Sequence, residues 1–183
     1  MAEQQQQPEL TTKQKVLKEL REWVVSLLMA LIVFFIVRTF LFTVISVDGS
    51  SMETTLHDRE RLIVSIIDQK IAGPQRGDPV ICHYPDREEY FVKRLIALPG
   101  DHIAMRDGIT YVNDEPVDET EYIADPDTRP YGPWTLGSDE YFVMGDNRNH
   151  SNDSRFVGPI HRDMILGKVQ LVMWPFNSIR MIK

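Results

Sequence analysis

The chain has 183 residues, with 20 Lys and Arg against 27 Asp and Glu for a formal charge of -7, and it is 43% hydrophobic and 26% charged. That length holds one compact domain plus an appendage, and that composition excludes a largely disordered or collagen-like chain. The acidic balance argues against nucleic acid as a partner, and a single cysteine, Cys82, excludes an intramolecular disulfide framework and a multi-cysteine zinc site.

The opening EQQQQPELTT is polar and lacks an apolar period, so residues 1–19 are expected to form a cytoplasmic tail whose start is disordered. From Trp23 to Val37 Ser26 is the only polar residue, and apolar character resumes after Arg38 as far as Val47. About 20 apolar residues cross about 30 Å of hydrocarbon, so one transmembrane helix is expected over residues 20–40. Lys13, Lys15, Lys18 and Arg21 precede it, whereas the first cation after Arg38 is Arg59. The positive-inside rule then puts the N-terminus in the cytoplasm and residues 41–183 outside, on a chain that crosses the cell membrane once. A cleavable leader fits less well, because the apolar region exceeds the usual 7 to 15 residues and no A-x-A site follows. From residue 48 onward there are 15 Lys and Arg and 23 Asp and Glu, so the expected external domain carries the acidity.

Beyond the anchor the pattern changes to short apolar runs: RLIVSII, DPVICHY, EYFVKRLIAL, GDHIAMR, ITYV, EYFVMG and VQLVMW. Their spacing and the Pro-Gly, Asp-Gly and Asn-Asp punctuation between them predict a mainly β domain, an antiparallel sandwich or barrel-like architecture with few helices. Asp107-Gly108, between HIAMR and ITYV, tolerates the positive φ of a type I′ turn and predicts a hairpin.

Three segments hold residues suited to chemistry. VDGSSMETTL has Ser50 and Ser51 directly after the anchor, without the G-x-S-x-G or S-x-x-K context of other serine enzymes. In EYFVKRLIAL the alternation of a strand sends Lys93 and Arg94 to opposite faces, so that one faces inward if the other is solvated. MGDNRNHSNDSRFVG is dense in Asp, Asn, Ser and Arg, but it lacks the order of an EF-hand loop, and Arg148 and Arg155 would repel a cation. His57, His83, His102, His150 and His161 show no ligand spacing, so neither a metal nor a cofactor is expected.

Taken together these segments resemble the bacterial type I signal peptidases, membrane-anchored serine proteases that remove signal peptides from exported proteins. Ser51-Met52 with Thr55-Leu56 is similar to that family's S-M-x-P-T-L box, Arg76-Gly77-Asp78 to its R-G-D box, and Lys93-Arg94 with Leu98-Pro99-Gly100-Asp101 to its K-R-x-x-x-L-P-G-D box. Gly145-Asp146-Asn147-Arg148 with Ser151, Asp153, Ser154 and Arg155 is similar to its G-D-N-R-x-x-S-x-D-S-R box. The single anchor and small external domain look most like the Gram-positive members.

The resemblance implies Ser51 as nucleophile, Lys93 as general base, and Ser151 close to the lysine amine to orient it. Asp146, Asp153 and Arg155 are then structural supports. Burial must lower the pKa of Lys93, since an unperturbed lysine near 10.4 is almost wholly charged at pH 7. The implied substrates are signal peptides ending in small residues, as in Ala-x-Ala. They would add as a strand between Val47, Asp48, Gly49 and Ser50 on one side and Tyr90, Phe91 and Val92 on the other. The lipid bilayer and the protein-export machinery are the further partners implied. Two positions depart from the family: Gly49 where some members have an oxyanion-binding serine, and Thr54 where the box has proline. Rival functions are a catalytically silent, membrane-tethered β-domain that binds exported peptides, and a self-cleaving Ser-Lys protease akin to the SOS-response repressors.

Overall fold

The computed structural model describes residues 12–37, 41–71, 73–85, 87 and 89–182, and the chain divides into two units, Met1–Phe40 and Leu41–Lys183. The first contains one helix, α1 (Thr12–Ile36), whose described side chains are all exposed. It begins well ahead of residue 20, because KQKVLKELREW is rich in straight-chain helix formers. Residues 1–11 of the expected tail and 38–40 of the expected span lie outside the described residues. Among the described residues no helix is long and apolar enough to cross a membrane. The apolar part of α1, from Trp23 to Ile36, reaches only about 21 Å at 1.5 Å per residue.

The second unit is mainly β. Its strands are β1 (Phe42–Ser46), β2 (Arg61–Ser65), β3 (Pro79–Cys82), β4 (Phe91–Ala97), β5 (His102–Arg106) and β6 (Ile109–Val112). They continue as β7 (Glu115–Pro116), β8 (Trp134–Thr135), β9 (Glu140–Met144), β10 (Ile160–His161), β11 (Ile165–Trp174) and β12 (Arg180–Met181). Two short helices interrupt them, α2 (Ile67–Ile71) and α3 (Ser154–Val157). The seven apolar runs each contribute a strand, and Phe42–Ser46, within the apolar stretch that follows Arg38, makes an additional edge strand.

Every strand pairing is antiparallel, as the sequence pattern predicts. The larger sheet runs β1-β2-β11-β3-β4-β9-β10, with β12 also on β11, and the smaller one runs β7-β6-β5-β8. The predicted hairpin forms with Arg106 opposite Ile109, and Asp107 and Gly108 take φ of 53° and 78°, the positive pair a type I′ turn requires. Ile96, Ile103, Val112, Leu136, Phe142 and Met144 form an apolar cluster that joins the two sheets.

β4 is central to the larger sheet and buried on both faces from Val92 to Ala97. It pairs with β3 from Phe91 to Arg94, but with β9 only from Arg94 onward. The β9-side edge of Phe91, Val92 and Lys93 is therefore left unpaired by any strand among the described residues, immediately beside the lysine.

β11 is held between β2 and β3, and Gly167 marks a register shift against β3. A methyl group there would run into the carbonyl of Ser65 and lie 3.0 Å from Val64 Cγ1. Gly167→Ala is therefore expected to destabilise the domain by about 1–3 kcal/mol, the usual cost of overpacking, seen as a lower denaturation midpoint at unchanged m-value.

Candidate active site

Ser51 begins a turn pinned by two apolar side chains. Met52 and Leu56 are both buried in the cluster that includes Leu62, Val64, Ile81 and Val92, and the Met52 carbonyl accepts the N–H groups of Thr55 at 3.0 Å and Leu56 at 2.8 Å. The i, i+4 spacing of one helical turn puts Met52 and Leu56 on the same side, which leaves Ser51 at the rim. From outside the turn, the Asn147 N–H donates to the Ser51 carbonyl at 3.0 Å and Asn147 Nδ2 to that of Ser50 at 3.1 Å.

Lys93 lies on β4 opposite Val80 of β3, is 2% exposed, and brings Nζ to 2.6 Å from Ser51 Oγ. Burial is the largest influence on this amine and lowers its pKa from the ordinary 10.5; Asp153, Cys82 and Asp146 pull it up, and Arg155 pushes it further down. Cys82 fills apolar space on β3, and burial pushes its own thiol up to about 12.

The segment from Gly145 to Arg155 follows β9. Gly145 is wedged into the site: a methyl group there would collide with Ser151 Oγ, Ser151 Cβ and the Ser51 carbonyl oxygen. Ser151 is thus brought beside the same glycine as Ser51. Among the described residues its buried hydroxyl has no hydrogen-bond partner, so the bond to the lysine amine implied by the resemblance is not made in this structure. Asp153 caps α3, accepts the Gly145 N–H at 3.0 Å, and receives Nε and Nη2 of Arg155 at 2.8 Å each. Asp146 accepts Nε and Nη2 of Arg94, both at 2.8 Å, and the Thr55 hydroxyl at 2.6 Å.

Alternation does send Lys93 and Arg94 to opposite faces, but neither is solvated. Arg94 is 3% exposed, paired with Asp146 and stacked 4.1 Å from the Tyr122 ring. Because β4 is covered on both sides, a cation on either face has to be neutral or paired. Arg94, Arg148, Asn147 and Thr55 all act on the site's geometry, and each belongs to a motif from which sequence reasoning drew only the catalytic and supporting residues.

Asp48, Gly49 and Ser50 are exposed, Val47 is buried, and Tyr90 and Phe91 lead into Lys93. The backbone of Val47 is already paired, its N–H with Glu60 and its carbonyl with Arg59, and Gly49 donates its N–H to Asp58 Oδ1 at 3.0 Å. Gly49 has a φ of +97°, which suits glycine. A cavity of about 440 Å³ opens beside Thr55, Arg76, Asp78, Arg94 and Lys168 but does not include the serine and lysine. Lys93 instead lies on the stretch of β4 whose β9-side edge is paired by no strand among the described residues, with Ser51 against it. Among the described residues no group of His, Cys, Asp and Glu could hold a metal ion.

The family model described as "Signal peptidase, peptidase S26" matches residues 20–174. A signal peptidase I of Bacillus licheniformis is 39% identical over 87% of this chain and 91% of its own. The signal peptidase IB of a Staphylococcus aureus strain is 36% identical over 89% and 94%. A solved signal peptidase I from Enterococcus faecalis V583 aligns with a TM-score of 0.45 and 28% identity, over 52% of this chain and 95% of that one.

Thr54, where the motif box carries proline, has a φ of +98°, and its hydroxyl donates to the Tyr122 carbonyl at 2.7 Å. Proline is locked near -65° and cannot take this conformation, so restoring it here would not tighten the turn but break it. Thr54→Pro is expected to cost about 1–3 kcal/mol of stability by chemical denaturation, the range of an enforced backbone conflict.

Proposed function

The chain belongs to the signal peptidase family, peptidase S26, and on that premise we propose that Ser51 and Lys93 are the nucleophile and general base with which it cuts signal peptides from exported proteins. It is a serine endopeptidase. The observation that carries the assignment is the 2.6 Å approach of a buried lysine amine to a serine hydroxyl at an open strand edge.

The chemistry follows from that approach. Neutral Lys93 accepts the Ser51 proton as Oγ attacks the scissile carbonyl carbon, giving a tetrahedral intermediate whose oxyanion lies by the Ser51 N–H. The C–N bond breaks as the lysine ammonium returns the proton to the leaving amine, and an ester on Ser51 remains. Water, deprotonated by Lys93, attacks that ester, and the proton returns to Ser51 Oγ as the signal peptide leaves with a new carboxylate. No step requires a carboxylate side chain of the enzyme. Asp146, Asp153 and Arg155 keep supporting roles, and the bare hydroxyl of Ser151 orients the amine once substrate excludes water.

Substrate is read as an added strand along the unpaired edge of Phe91 to Lys93, opposite Asp48 to Ser50, with small residues favoured as in Ala-x-Ala. The membrane assignment rests on sequence: the apolar run from Trp23 to Val37, basic residues on its N-terminal flank, and an acidic domain after it. We assign the chain to the cell membrane as a single-pass protein with a cytoplasmic N-terminus, its catalytic domain facing out toward precursors delivered by the export machinery.

Cleavage of a preprotein with an Ala-x-Ala site by the detergent-solubilised protein tests the assignment. Wild type should cut after that site, and Ser51→Ala and Lys93→Met should be inert. Because only the neutral amine accepts a proton and burial lowers its pKa, kcat/KM should rise with pH along a limb lying below the 10.5 of an ordinary lysine. Wild type that binds the precursor without cutting it would favour the silent binding domain instead.

A further inference from the structure

Between β7 and β8 the chain runs from Val117 to Pro133 with neither helix nor strand. Seventeen residues without regular structure are uncommon in a small domain and are usually functional or disordered. This stretch is anchored, and its anchors fall on all three segments that carry the candidate catalytic residues. The Tyr122 carbonyl takes the hydroxyl of Thr54, three residues after Ser51, and the Tyr122 ring stacks on Arg94, next to Lys93. Glu119 receives Nη1 and Nη2 of Arg148 at 2.9 and 2.7 Å, Asp125 receives Asn149 Nδ2 at 2.7 Å, and Asp127 receives Nη1 of Arg155 at 2.7 Å.

Two of these contacts converge on one glycine. Arg148, clamped by Glu119, donates Nε to the Gly145 carbonyl at 3.0 Å. Asp153, held by Arg155 and through it by Asp127, accepts the Gly145 N–H at 3.0 Å. Arg155 also donates Nη2 to the Arg148 carbonyl at 2.8 Å, which ties the two arms together. Both backbone polar groups of Gly145 are therefore fixed by side chains tied to the 117–133 segment, Arg148 directly through Glu119 and Asp153 by way of Arg155 and Asp127. Gly145 is the residue against which the Ser51 carbonyl and the Ser151 hydroxyl are both packed.

Building on the Ser51 and Lys93 assignment above, we propose that residues 117–133 form a strap that sets the spacing of Ser51, Lys93 and Ser151, with Glu119 and Asp127 as its positioning residues. Glu119 and Asp127 lie outside every motif box. They touch no reacting atom and act through Arg148 and Arg155. Their charge also matters. The charged and titratable groups acting on the lysine amine are Asp153 and Asp146 from the loop, Arg155 from α3 and Cys82 from β3. Asp127 offsets the charge of Arg155, the cation that pushes the lysine amine down, and also holds Arg129, so neutralising it leaves more uncompensated positive charge acting on the amine.

The test compares Glu119→Gln, Asp127→Asn and Asp127→Glu with wild type in preprotein cleavage across pH. Asp114→Asn, in an exposed carboxylate outside the strap and paired with Arg106, is the control and should match wild type. Glu119→Gln and Asp127→Asn should lose about 100-fold in kcat with KM changed little, as expected when reacting groups move by about 1 Å. The ascending pH limb of Asp127→Asn should move to lower pH, whereas Asp127→Glu, which keeps the charge, should hold it at the wild-type position. Limb position does not depend on how much of the protein is folded, so this comparison survives a loss of stability. A kcat within about twofold of wild type in both neutral variants, or an unmoved limb in Asp127→Asn, overturns the strap. Ser51→Ala run alongside separates the two ideas: active Ser51→Ala would sink the dyad itself, whereas inert Ser51→Ala with unaffected strap variants sinks the strap alone.

Discussion

A primary amine placed 2.6 Å from a serine hydroxyl inside a protein is the constraint around which this domain is arranged. Water would keep the amine charged and the pair useless for taking up a proton. Burial removes that water, and the sequence achieves it by making β4 a central strand with apolar neighbours, Val80 across from Lys93 and Cys82 and Phe91 nearby. The cost is general, because a strand buried on both faces also buries the next residue, Arg94. A guanidinium cannot be made neutral, so it has to be paired. Asp146 pairs it, and through Thr55 the same carboxylate reaches the turn that carries Ser51. The bond that neutralises one cation thus also positions the turn that carries Ser51.

The same economy recurs at Arg148 and Arg155, which are 1% and 2% exposed in their side chains. Each has carboxylate partners and each donates to a backbone carbonyl of the loop that contains Ser151. Buried ion pairs add little net stability compared with apolar packing, but breaking one strands a charge at a cost of about 3–5 kcal/mol. Such pairs suit a loop that must hold one conformation. They also keep the electrostatic environment of Lys93 balanced, with Asp153 and Asp146 favouring its charge and Arg155 opposing it, so that burial decides the direction of its shift.

Much of the β domain was legible in the sequence, since period-two alternation and turn residues locate the longer strands, and Asp107-Gly108 marks its hairpin through φ alone. Two-residue strands such as β8, β10 and β12 were not, because they are too short to show a period. Resemblance to known motif boxes brought Ser51, Lys93 and Ser151 together before any coordinates, yet it could not foresee that the Ser151 hydroxyl would stand without a partner. Alternation separated Lys93 from Arg94 but said nothing of what covers each face. Glu119 and Asp127 were invisible for a plainer reason. Each meets its arginine across 28 or 29 residues of chain, in a segment with no period and no motif. The backbone at Thr54 was hidden too, because a β-branched residue gives no sign that it will be held at positive φ by a carbonyl 68 positions away.

Direct titration of the Lys93 amine tests the central claim most simply, by NMR of protein with isotope-labelled lysine side chains and with Lys93→Met to assign the resonance. The account predicts one lysine that loses its proton below 10.5 and whose signal is absent from the variant. A Lys93 that titrates at or above that value would contradict it, because a charged amine beside Ser51 could not accept the proton that the reaction has to move.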